Sequence, residues 1–210
     1  SDLSSPGPGS AVIANGNLLS GATVTLGDVT LTVQENNDTT FGGTITDAFL
    51  EYPGSGSGTT GPLNVLKRGA AALRLTGANS YSGATTVSEG TLGVDGSLAG
   101  TSLIVQSGGT LAGIGTIDCP VSIQGGGTIA PGSNHLGTLT ISSALMLAGN
   151  SRMEVAKAGM SLASDQVVGV SSLAYGGTLA VTNVGAWPLE VGDAFTLFSA
   201  VTYAGAFTNL

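Results

Sequence analysis

The sequence predicts an all-β fold, a right-handed parallel β-helix (a β-solenoid) with an aromatic-rich C-terminal cap or junction region. Three observations carry that expectation. The first is a tripeptide, Gly-Thr-Leu/Ile, which occurs at Gly43, Gly90, Gly109, Gly115, Gly127, Gly137 and Gly177. Each copy reads as a turn glycine followed by two strand residues. The copies at Gly90, Gly109 and Gly127 are 19 and then 18 residues apart, and a strand-and-turn unit recurring at this period is how stacked coils look in sequence. The second is composition. With 35 Gly, 41% hydrophobic and only 9% charged residues, aliphatic residues alternate with Ser, Thr and Asn, as in strands with hydroxyls outside and Leu, Val, Ile and Ala inside. The third is the placement of aromatics. Residues 172–210 hold Tyr175, Trp187, Phe195, Phe198, Tyr203 and Phe207. Solenoid ends expose edge strands that must be covered, so these aromatics suit a cap or a junction; wider terminal coils with a bulkier core are the alternative.

Taken in order, residues 1–10 read as a flexible lead. The β-helix is expected over 11–160, starting with strands AVIA and VTLTV, and Phe41 to Thr46 returns to strand after the polar turn Glu35 to Asp38. Residues 47–62 (DAFLEYPGSGSGTTGP) interrupt the pattern and read as a projecting loop carrying Phe49 and Tyr52. Then come strand Ala72 to Leu75, turn Thr76 to Ser80, strand Thr85 to Val87 and turn Ser88 to Gly90. Leu73 and Leu75 point to one side, as do Val87 and Leu92, so that stacking makes aliphatic ladders. Gly77, Gly83 and Gly90 are expected to supply turn conformations that L-residues avoid. Asn79 is expected to stack on equivalents in neighbouring coils or to bond the turn backbone, and Tyr81 to pack at a corner. Asn150 to Val170 reads as less regular. Residues 161–210 form the C-terminal coils or cap, with strands at Gly177 to Val181 and Ala194 to Phe198. The chain starts at Ser1 and ends in AFTNL, which reads as mid-strand, so it is expected to be part of a longer exported chain.

The stretch LNVLKRGAAALRLTGANSYSGATTVSEGTL (63–92) resembles the passenger-associated strand repeat of bacterial autotransporters. That pattern runs through a lysine and a glycine, Leu-x-Leu-Thr-Gly, Asn-x-Tyr-x-Gly, Thr-x-Val and Gly-Thr-Leu. Lys67, Gly69, Leu73, Leu75, Thr76, Gly77, Asn79, Tyr81, Gly83, Val87, Gly90, Thr91 and Leu92 fill it, with Thr86 one residue off the usual threonine. The resemblance implies a β-helix and a secreted or cell-surface location. It implies no particular activity, because fold does not carry function.

Composition excludes some partners. The net charge is -8 with five basic residues. Phosphate contacts need Lys and Arg in number, so nucleic acid is not expected as a partner. An anionic membrane surface is disfavoured equally, and no apolar run is long enough to insert in a bilayer. Cys119 is the single cysteine, beside Pro120 in an apparent strand context, and reads as a small buried hydrophobe.

Catalysis on a β-helix needs convergent carboxylates. The acids here are scattered singly, and Asp47 and Glu51 flank a loop instead of sharing a strand face. His135, the sole histidine, reads as a solvated turn residue. Gly54 to Gly58 fits Gly-x-Ser-x-Gly in spacing but not in context. No calcium nonapeptide repeat is present. The Thr-x-Thr pairs at 23/25, 30/32 and 138/140 do not recur at coil spacing. No catalytic, metal or cofactor site is therefore expected.

The sequence reads as a non-enzymatic extracellular structural protein: a rigid stalk, surface-layer or filament subunit, or adhesin scaffold. Self-association or neighbouring domains of the same chain are the expected partners, through Trp187, Phe195, Phe198, Tyr203 and Phe207. The alternative is an adhesin or carbohydrate-binding accessory module that contacts cell-surface glycans through Phe49 and Tyr52.

Overall fold

The computed structural model describes residues 10–14, 29–49, 60–132 and 135–210. Among them every regular element is a strand. The chain winds as a parallel β-helix whose successive coils stack in register along three ladders.

The first ladder holds Ser10–Ala14, Val29–Gln34, Leu63–Arg68, Thr85–Val87, Leu103–Val105, Val121–Ile123, Ala144–Leu147, the second half of Gln166–Tyr175, and Phe198–Gly205. The second holds the short strands Ala78–Asn79, Ser97–Leu98, Thr116–Ile117 and Thr138–Ile141, and ends on the first half of Gln166–Tyr175. The third holds Thr39–Phe41, Ala72–Leu75, Gly90–Val94, Gly109–Gly113, Thr128–Pro131, Asn150–Ala158 and Thr178–Asn183. Gln166–Tyr175 runs around a corner and joins the first two ladders.

Strand alternation sets which residues meet. In the third ladder Leu73, Leu92, Leu111 and Ile129 stack in register and are all buried. In the first, Val65, Thr85, Leu103, Val121, Leu145 and Leu173 form the equivalent column. Burying each such aliphatic side chain contributes about 1.5–3 kcal/mol, and the columns repeat that contribution at every coil. Outward positions carry small and hydroxyl residues: Thr91, Thr110 and Thr128 lie one above another. This threonine column does recur at coil spacing, unlike the pairs singled out in the sequence.

The glycine motif serves two different corners. Gly90, Gly109, Gly127 and Gly177 precede the third ladder, whereas Gly115 precedes the second. There Gly77, Gly96 and Gly115 stack, and a Cβ built on each would lie 2.1, 2.2 and 2.0 Å from the carbonyl oxygen of Gly43, Gly77 and Gly96 respectively. Close approach between coils is thus what demands glycine at position 77, and likewise a Cβ on Gly83 would lie 2.3 Å from the Leu63 carbonyl oxygen. Neither has a positive φ, so the expectation of special turn conformations holds for Gly90 alone of the three, with φ 66°. The Gly137 copy runs into the second ladder two residues out of step: Thr116 pairs with Thr140.

Other expectations need correction. Residues 42–46 are not strand; the strand at that point is Thr39–Phe41. Ala78–Asn79, expected in a turn, pairs as ladder. The region 150–170 contains the two longest strands, because Asn150–Ala158 overruns its ladder and folds back as an antiparallel hairpin on Ser161–Ser164. Residues 194–197 are not strand; pairing begins at Phe198. Cys119 lies at a corner and not in a strand, and it is buried as expected.

Candidate functional site

The repeat region shows how the motif residues act. Asn79 occupies a core position, directly beneath Leu98. A polar group there must be satisfied, and its amide reaches two neighbouring coils. Its Oδ1 accepts the Ile45 N–H at 3.1 Å, and its Nδ2 donates to the carbonyls of Gly77 and Ser97 at 3.1 and 3.2 Å. Of the two roles expected for Asn79, backbone bonding is the one it plays. Tyr81 is fully buried, its hydroxyl 2.5 Å from the Thr85 hydroxyl. Burial pushes its pKa far above the usual phenol range. It packs at a corner, as expected.

Lys67 was not read as a core residue, yet it stacks between Val33 and Val87 and has no exposed surface. Its Nζ donates to the carbonyls of Arg68 and Gly69 at 2.8 Å each and of Glu89 at 3.3 Å. The ammonium thus closes the corner leading to Gly90. Burial lowers its pKa, against the opposing pull of Glu35, Glu89 and Asp38. The signal available in sequence was its alternation with Leu63 and Val65, which places it on the inward face.

At the projecting segment, Ala48–Phe49 pairs antiparallel with Thr60–Gly61. Asp47 pins this stem to the coil: its Oδ1 accepts the N–H groups of Leu63 and Ser82 at 3.0 and 2.8 Å. Burial pushes the Asp47 pKa up, and the hydrogen bonds from Ser82 and Leu63 outweigh it to leave the carboxyl below its usual value. Phe49 is placed in this stem, while Tyr52 lies outside the described residues.

At the C-terminal end Tyr175, Phe198, Tyr203 and Phe207 gather. Tyr175 meets Phe198 edge-on at 5.7 Å, stacks on Tyr203 at 6.0 Å and lies 4.9 Å from Phe207. Trp187 and Phe195 take no part in this cluster. Trp187 is 56% exposed, on the segment 184–197, which is fastened to the hairpin by Lys157. The Lys157 ammonium contacts Glu190 at 2.7 Å and Asp193 at 3.0 Å, and these bonds raise its pKa.

The end itself is open. Met153 is 1% exposed but Val181, in register above it, is 48% exposed. Leu173 is 1% exposed and Tyr203 above it is 53% exposed. Val181 and Tyr203 are thus the exposed members of two inward columns, while Leu179, Phe198 and Phe207 still pack against the core.

His135 is exposed at a corner, and among the described residues no group of three or more His, Cys, Asp and Glu side chains is gathered that could hold a metal ion. Among the described residues no helix is long and apolar enough to cross a membrane.

The coils thus stack in register, clamped at one level by Asn79 and closed at a corner by Lys67. Residues 65–94 match the family model of the passenger-associated-transport-repeat, so the chain carries that repeat. It is 39% identical over 130 residues to the adhesin BmaC autotransporter of Brucella suis biovar 1 (strain 1330), an alignment covering 57% of this chain and 3% of the adhesin. It is 41% identical over 75 residues to an extracellular serine protease of Serratia marcescens, covering 36% of this chain and 7% of the protease. The chain thus corresponds to a small fraction of either relative's length. The repeat and these relatives indicate a secreted or cell-surface location.

Proposed function

We propose that this chain is a rigid, non-enzymatic scaffold segment of a larger surface-displayed protein, acting as a stalk, a surface-layer or filament subunit, or the body of an adhesin. The observation that carries this reading is the continuity of the core columns: Leu73, Leu92, Leu111 and Ile129 stack coil on coil with no gap. Main-chain ladders and aliphatic columns running along one axis give stiffness in that direction. The likeness to an autotransporter adhesin supports the display role.

The uncovered last coil supports contact at that end. Val181 and Tyr203 would be buried by a further coil, supplied by the same chain or by strand addition from a second copy. Electron microscopy of the purified chain tests the reading. Short rods at low concentration and end-to-end fibres at high concentration are expected, with fibres lost on deleting residues 187–210. Compact particles without an axial repeat would overturn it.

The second reading, a carbohydrate-contacting module, is favoured by the stem at Ala48–Phe49, which stands off the three ladders as its own two-stranded sheet. Replacing Phe49 and Tyr52 together by Ala should then abolish glycan binding and leave thermal stability unchanged.

A further inference from the structure

The outer face of the third ladder carries a groove of about 560 Å³ running along the rod axis. Its floor is one outward column. Gly93 pairs with Arg74 below and Ala112 above, and Ala112 pairs with Ala130. Continuing the register beyond Ile129 and Ser151 sets Arg152 next, beneath Ala180. Two of the chain's five basic residues thus stand in one column, separated by three small residues. Four coil steps put them about 19 Å apart.

We infer that this groove binds an extended, uncharged, hydroxyl-rich polysaccharide lying along the axis. Ala112 and Ala130 let a sugar ring approach the sheet closely, whereas the Arg74 side chain lies against Gly93. Beside the floor runs the threonine column, with Thr91 and Thr110 lining the groove and offering one hydroxyl per coil. The coil repeat of about 4.8 Å is close to the length of one extended pyranose unit, so successive sugars meet equivalent hydroxyls. At the lower end Thr40, in register with Arg74, adds an exposed hydroxyl to the groove. The arginines supply planar donor forks matched to adjacent hydroxyls. Arg74 is held in place by Asp95 at 2.5 Å, while Arg152 is exposed and makes no ion pair among the described residues. Asp38 and Glu154 also line the groove. Their negative charge offsets the two arginines and disfavours a polyanion.

This inference rests on the adhesin-scaffold reading and gives it a ligand class and a location away from the 47–62 stem. The test is calorimetric titration of the whole chain with β-1,4-linked hexasaccharides of glucose, xylose and N-acetylglucosamine, with the corresponding disaccharides, and with oligogalacturonate. Binding of at least one neutral hexasaccharide is expected, at least tenfold tighter than its disaccharide. Ala112→Trp, which fills the middle of an outward-facing floor, should weaken it tenfold or more, and Arg152→Ala threefold or more. Met146→Ala, on the outer face of the first ladder, should change nothing. Circular dichroism melts confirm that each variant is folded. Failure of every neutral hexasaccharide to bind, binding of oligogalacturonate alone, or full binding by a folded Ala112→Trp would overturn the groove. Any of these results with intact rods in the microscope would leave the scaffold reading standing, whereas loss of the rods would overturn that reading instead.

Discussion

The Asn79 side chain accepts the backbone N–H of Ile45, 34 residues earlier in the chain and one coil below, at 3.1 Å. The same amide donates upward to the Ser97 carbonyl, so one side chain ties three consecutive coils. Asn79→Leu would keep the column apolar but leave a buried N–H and two carbonyls short of a partner. A destabilisation of about 2–4 kcal/mol is expected in denaturant unfolding. A neutral or stabilising result would show that packing, and not the amide, holds this level.

Close stacking at the second ladder's corner predicts a contrast between two glycines. A Cβ on Gly96 would lie 2.2 Å from the Gly77 carbonyl oxygen, whereas one on Gly125 would meet nothing within 4 Å. Gly96→Ala should cost about 1–3 kcal/mol or more as the coils are forced apart, and Gly125→Ala should fall within about 0.5 kcal/mol of the parent. Equal melting temperatures for the two variants would contradict the stacking argument.

Ser151 interrupts an aliphatic column. It stacks above Ile129 and below Leu179, has no exposed surface, and its hydroxyl has no partner. A buried unpaired hydroxyl is a cost without a return. Ser151→Ala is expected to raise unfolding stability by about 1 kcal/mol; a loss of similar size would mean that the hydroxyl is bonded in solution.

Cys119 gives a pH signature. Burial first, and the neighbouring Asp118 charge second, push its thiol from 9.0 up to about 11. Between those pH values the unfolded chain has lost the proton that the folded chain retains. The folded state then binds more protons, and stability falls as pH rises. Two pK units correspond to at most about 3 kcal/mol. The difference in stability between the parent and Cys119→Ala should be flat below pH 9 and shrink from about pH 9 to 11. A difference that does not vary with pH would show the thiol to be in contact with water.

Much of the fold was legible because its determinants are local and repeated. Period-two alternation put Leu73, Leu75, Val87 and Leu92 inside, and the spacing of Gly90, Gly109 and Gly127 identified true register partners. What was not legible depends on neighbours distant in sequence. Gly77 and Gly90 look alike in the chain and both are crowded by a carbonyl in the coil below, yet only Gly90 is also required by its own φ. Lys67 is betrayed as a core residue only by its alternation with Leu63 and Val65, and its burial depends on the carbonyls of three corner residues and the nearby acidic charges. The hairpin at 150–164 hid in the sequence because Arg152 and Glu154 bring charge to its outward face and Lys157 takes an inward position after Met153 and Val155. The groove was invisible for a similar reason: Arg74 and Arg152 are 78 positions apart in sequence and become column mates only when the coils stack.

Coil length varies while register does not. Successive partners in the third ladder, Thr39, Leu73, Leu92, Leu111, Ile129, Ser151 and Leu179, are separated by 34, 19, 19, 18, 22 and 28 residues. Each surplus is spent at a corner, and the entropy of closing a longer corner grows only logarithmically with its length. The stack therefore behaves as a chassis whose corners are independent mounting points. The corners differ widely, from the stem of Ala48–Phe49 and Thr60–Gly61 to the turn that joins Asn150–Ala158 to Ser161–Ser164, while the strand pairs on either side keep one register.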